Sequence, residues 1–210
     1  MQLESKNENR LFLVVLGGRT RRSHIELHDV RWVVGKKIED VFPQLSKEWF
    51  GDSNGLHMDS FMEIKFIDGY KVSLISTASN VKSQSTLISK STPLTKMSLW
   101  FVNLGGYNNA QLNELHEFGL VVAKTSSDAK RIAKERFLKG CKLLHNDDIY
   151  NIDKRPAIDD CHSIKYIPGW RIVLTLDPNK RSQRLRPDWY GFRLIGNEIQ
   201  ETLDLNSSIN

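Results

Sequence analysis

The apolar residues of the chain change period along its length, and the changes mark elements. Residues 11–16 (LFLVVL) form an unbroken apolar run stopped by Gly17-Gly18, the pattern of a buried strand ending in a turn. Residues 30–34 make a second β-rich run. From Ile38 the spacing becomes three and four, with Ile38, Val41, Phe42, Leu45 and Trp49 on one face of a helix. Pro43 marks either a kink or the true first turn of that helix. Residues 61–66 and 70–75 then predict a hairpin around Asp68-Gly69.

The same pattern is written a second time. A shift of 88 residues lays LFLVVLGG (11–18) on LWFVNLGG (99–106) and matches Glu26, Leu27 and His28 with Glu114, Leu115 and His116. Continued without a gap, it matches Leu56, His57 and Asp59 with Leu144, His145 and Asp147. Beyond an extra stretch at 153–164 the shift becomes 100, placing Gly69-Tyr70 on Gly169-Trp170. In the second copy, residues 125–128 form a capping-box-like helix start followed by Ala129, Ile132, Ala133 and Phe137 on one face.

The chain thus divides into a first copy (11–76), a Ser/Thr/Lys-rich linker (77–96), a second copy (97–176) with the 153–164 insertion, and a C-terminal extension (177–210). The expected class is α+β, a tandem duplication of a β-β-α-β-β module. One module alone buries little, so the two copies are expected to pack as a pseudo-twofold pair.

Charge changes this picture only locally. The chain of 210 residues carries a formal charge of +5. Five basic residues against Asp188 between Lys180 and Arg193 account for most of it. Arginines interleaved with Trp189, Tyr190 and Phe192 could stack single-stranded nucleic acid, but the rest of the chain is nearly neutral. Nucleic acid is therefore not the expected partner, and the extension is expected to pack on the module surface. No apolar run reaches membrane-spanning length. With only Cys141 and Cys161, there is no disulfide framework, which suits a reduced, cytoplasmic protein. A homo-oligomer is compatible with the composition.

Candidate chemistry comes from polar positions that recur in both copies: Glu26, His28, His57 and Asp59 in the first, Glu114, His116, His145 and Asp147 in the second. Asp29 keeps its charge as Glu117. Residues two apart in an extended chain share a face, so Glu26/His28 and His57/Asp59 could converge as two imidazoles and two carboxylates. That set suits a divalent transition metal, or a histidine base oriented by a carboxylate. Histidines clamped by carboxylates for structural reasons would leave the same trace. Arg19, Arg21 and Arg22 after Gly17-Gly18 offer a weaker anion-binding candidate, confined to the first copy. Cys161 and His162 fall in the inserted stretch, as an exposed loop.

The assembled residues are Gly17-Gly18, Glu26-Leu27-His28-Asp29, Trp49-Phe50, Leu56-His57-x-Asp59 and Asp68-Gly69-Tyr70. Together they resemble a bacterial family of domains of unknown function, DUF1543, whose members carry one or two copies of the module. The resemblance implies the module and brings no activity. Two functions stand open. One is a non-enzymatic small-ligand or protein-binding, regulatory module with no cofactor. The other is a metal-dependent hydrolase using His28, His57, Asp59 and Glu26, which requires those four side chains to meet in one place.

Overall fold

A computed structural model describes residues 8–78, 97–107, 110–139 and 157–195, with the backbone alone at 157–159. The chain is α+β, with antiparallel strands and two α-helices among the described residues. It divides into two compact units, one up to Ile64 and again from Arg186, the other from Lys65 to Leu185. The cuts do not follow the copy boundaries, because the last strands of the first copy belong to the second unit.

In the first unit the sheet order is β11-β3-β1-β2, from β1 (Arg10–Gly18), β2 (Leu27–Gly35), β3 (His57–Glu63) and β11 (Trp189–Leu194). A 3-10 turn (Ile38–Val41) runs into helix α1 (Phe42–Glu48), so Pro43 sits in the helix's first turn, where a missing N–H costs nothing. Alternation along β1 sends Phe12, Val14 and Leu16 toward Val41, Leu45 and Trp49 of the helical segment, closing the unit's core. Gly17 and Gly18 are the last two residues of β1, so the strand ends with them as expected.

In the second unit, β6 (Ser98–Gly106), β7 (Leu115–Ala123) and β8 (Ala157–Ser163) form a sheet of order β7-β6-β8. Helix α2 (Ser126–Arg136) packs Ala129 and Ala133 against Val102, Leu104 and Val121 of that sheet. Its start is capped as expected: Thr125 Oγ1 accepts from the Asp128 N–H at 3.1 Å.

The other sheet of this unit has the order β4-β5-β10-β9, from β4 (Phe66–Ile67), β5 (Tyr70–Ser76), β9 (Tyr166–Ile167) and β10 (Trp170–Leu176). The expected hairpin is real but short, since only β4 pairs with β5 while residues 57–63 join β1. Its turn has left-handed φ at Asp68 (51°) and Gly69 (80°), as a two-residue hairpin requires. In the β5–β10 pair Ser73 faces Val173, with Leu74 facing Ile172 and Val72 facing Leu174.

The second copy needs one correction. The offset is 88 through β6, β7 and α2, but β8 stands 100 residues after β3. Gly17 faces His57, and Gly105 faces Ala157. The extra residues therefore lie between α2 and β8 and not at 153–164, and Cys161 and His162 are strand residues facing Val102 and Phe101. The linker after Ala78 lies outside the described residues. No helix among the described residues is long and apolar enough to cross a membrane.

Candidate functional site

Strand register brings the four candidate residues of the first copy together. On β1, Gly17 faces His28 of β2 on one side and His57 of β3 on the other. Residues opposite one another in antiparallel strands point to the same face, so two imidazoles flank a position with no side chain. That face is turned away from α1, because Leu16 next door points into the helix-packed core. A Cβ on Gly17 would lie 2.4 Å from His57 Nε2 and 3.0 Å from Asp59 Oδ2. Neither Gly17 nor Gly18 adopts a left-handed φ. Glycine at these two positions leaves space, for the imidazole at Gly17 and for the Trp49 ring at Gly18.

Asp59 reaches the centre from a β-bulge. Val15 faces Ser60 and Leu16 faces Met58, leaving Asp59 as the extra residue of β3. The second copy repeats this bulge: Asn103 faces Asp160 and Leu104 faces Ile158, with Asp159 between.

The four ends alternate around a ring. His57 Nε2 lies 3.2 Å from Glu26 Oε1 and 3.1 Å from Asp59 Oδ1. His28 Nε2 lies 3.2 Å from Asp59 Oδ2 and 3.7 Å from Glu26 Oε2. The His57 side chain is buried, while those of His28 (53% exposed) and Glu26 (40%) open one side of the ring to solvent.

The tautomer of His57 follows from its other nitrogen. Nδ1 lies 2.8 Å from the carbonyl oxygen of Gly55, which can only accept, so Nδ1 carries the hydrogen and donates. Gly55 presents that carbonyl from a left-handed turn (φ 74°). In a neutral ring Nε2 is then a bare lone pair facing two carboxylate oxygens.

One face of the His57 ring rests on Phe192 of β11, with centroids 4.1 Å apart and planes inclined by 32°. A second irregularity aims it: Tyr190 faces Ser60 and Arg193 faces Met58, so Gly191 and Phe192 together oppose Asp59, with Gly191 at φ 152°.

Other expected residues stay apart. Asp29 is held locally, accepting from the Val30 N–H at 2.8 Å and pairing with Arg31 at 2.6 Å. Arg19 donates to the His24 carbonyl at 3.4 Å, and Arg21 and Arg22 are exposed in the following turn. None of the three contacts the ring by hydrogen bond or ion pair. In the second copy Glu114 and His116 repeat their pairing at 3.6 Å. His145 and Asp147 lie outside the described residues, and register gives the positions of His57 and Asp59 to Ala157 and Asp159. The inserted residues broke the ungapped match.

Cys161 is a free, half-buried thiol whose pKa is raised by burial. His162 pairs with Asp160 at 3.4 Å, away from any second imidazole in the described strand. The basic extension packs as expected, pairing β11 with β3 and stacking Trp189 on Phe61. It also ties Arg193 to Glu39, and Arg181 to Asp177. A cavity of 170 Å³ in the second unit, lined by Leu99, Ile164, Tyr166 and Arg171, holds none of the repeated polar residues.

Among the described residues no group of three or more His, Cys, Asp or Glu is already spread as a metal shell. In the ring the donors rest on one another. Each imidazole Nε2 meets a different oxygen of each carboxylate, at N···O separations of 3.1–3.7 Å.

A family model described as Domain of Unknown Function (DUF1543) matches residues 23–74 and 111–161. A solved structure, of a protein Il1583 from Idiomarina loihiensis, is 30% identical, with 90% of this chain and 98% of that chain covered and a TM-score of 0.62. No curated protein matches the chain.

Proposed function

Since the chain belongs to the DUF1543 family, carrying two copies of a domain that brings no activity with it, we propose from geometry that the first copy is a metal-dependent hydrolase. His28, His57 and Asp59 would hold a divalent transition cation, leaving one position open beside Glu26. The observation that carries this reading is the His57 ring. Its Nδ1–H is committed to the Gly55 carbonyl, and its Nε2 faces the carboxylates of Glu26 and Asp59. A carbonyl-oriented imidazole is the usual support of a metal ligand, and two imidazole nitrogens with a carboxylate oxygen suit zinc, iron, manganese or nickel.

Such a cation lowers the pKa of a bound water to near neutrality. Glu26, the more exposed carboxylate, is the group placed to take that water's proton. Hydrolysis would then bond the water oxygen to an acyl or phosphoryl centre, and the proton held by Glu26 would pass to the leaving group as its bond breaks. The non-enzymatic reading keeps the same centre without turnover. We also infer a local pseudo-twofold relation between strands β5 and β10, supported by the facing of Ser73 and Val173, equivalent positions at an offset of 100.

The test is elemental analysis and zinc and cobalt titration of protein purified without a metal-binding tag, beside His28→Ala/His57→Ala. One equivalent of metal in the parent, weakened by roughly 10–100-fold or more in the variant, is expected. A parent that binds no divalent cation, or a folded variant that binds as well, refutes the metal centre.

A further inference from the structure

The sheet face that carries the ring continues onto β11, where two aromatic side chains stand in solvent. Tyr190 faces Ser60, which in turn faces Val15, an odd position of β1 on the same side as Gly17. Phe192 follows on that strand, against the His57 ring. Phe192 is 67% exposed and Tyr190 78% exposed, whereas Trp189, next in the chain and on the opposite face, packs into the core. Large apolar side chains left in water beside a convergent polar centre mark a ligand surface. The strand is also distorted to provide it, since the bulge and the left-handed φ of Gly191 turn Phe192 toward the ring.

We infer that the molecule bound at this centre carries an aromatic or comparably flat apolar group next to its metal-binding atoms. That group lies on the Phe192–Tyr190 platform while the polar end meets the cation. The inference rests on the metal reading above and adds the class of ligand. Ring-on-ring contact favours an aromatic over a methyl group by about 3- to 10-fold in affinity.

The experiment uses the full chain loaded with cobalt(II) and two probes that share one chelating group, acetohydroxamate and benzohydroxamate. Cobalt uptake is measured first, by its own absorption, so failure of the metal centre is seen before either probe is added and takes this inference with it. With cobalt bound, benzohydroxamate is expected to bind about 3- to 10-fold tighter than acetohydroxamate. Phe192→Ala is expected to erase the difference between the two probes, each titrated on the cobalt-loaded variant, and Phe192→Tyr to restore it. Equal affinities in the parent, or a preference that survives Phe192→Ala together with Tyr190→Ala, overturn the platform and leave the metal centre standing.

Discussion

Gly17→Ala tests the site through one methyl group. The new Cβ would stand 2.4 Å from His57 Nε2, 2.9 Å from His57 Cε1 and 3.0 Å from Asp59 Oδ2. The imidazole cannot yield within its place, because it is buried (2% exposed), bonded to Gly55 and backed by Phe192. It must leave. Forcing a methyl into a filled site costs about 1–3 kcal/mol, and separating the buried Nδ1–H from its carbonyl costs roughly 1–3 kcal/mol more. Against this, alanine restricts the unfolded chain, and since Gly17 has no left-handed φ the gain is about 0.4–1 kcal/mol. The net expectation is a loss of about 2–4 kcal/mol, measured by urea unfolding. Cation affinity should fall as far as in His57→Ala, measured by cobalt titration. Gly105→Ala is the control, because its register partner is Ala157, and it is expected to cost less. A Gly17→Ala protein within about 0.5 kcal/mol of the parent, with cation affinity intact, would refute the packing argument.

Two further outcomes follow from other parts of the molecule. Asp177 accepts from the Arg181 guanidinium and from the Arg181 N–H, which hold its pKa at about 2, below the ordinary aspartate value of 3.8. A depressed carboxylate contributes stability above its unfolded pKa and loses it as pH falls through the folded value. Melting temperature should therefore drop more steeply for the parent than for Asp177→Asn between about pH 4 and pH 2, and parallel curves would contradict the pairing. Ala157→His places an imidazole opposite Gly105, beside the Glu114–His116 pair and the Asp159 bulge. A second, weaker equivalent of zinc by titration is expected, and a stoichiometry fixed at one would show that register alone does not rebuild the site.

Much of both copies was legible because their periods were clean. The apolar run of β1, the three-and-four spacing of α1 and the capped start of α2 each became the element expected. Spacing also served the ring, since Glu26/His28 and His57/Asp59 are two apart on extended chain. What sequence did not carry was the role of Gly17: a glycine pair after an apolar run marks the strand's end, as it does here, and only strand pairing shows it also as room for an imidazole. The His145 match failed for a related reason. Identity at a fixed offset cannot see an insertion, whereas the bulged Asp59 and Asp159 keep a register that can. Phe192 lay beyond reach, since nothing local announces that a strand near the C-terminus will stack on His57.

The pairing of β11 with β3 also bears on how the molecule is made. A nascent chain holding only the first copy exposes the hydrogen-bonding edge of β3 and leaves the His57 ring without its aromatic backing. The strand that supplies both is synthesised only after the second copy, a delay on the order of ten seconds at ordinary rates. Assembly of the centre thus waits on β11: a product truncated before Trp189 would present a sticky edge and no finished site, and quality control would meet it in that form.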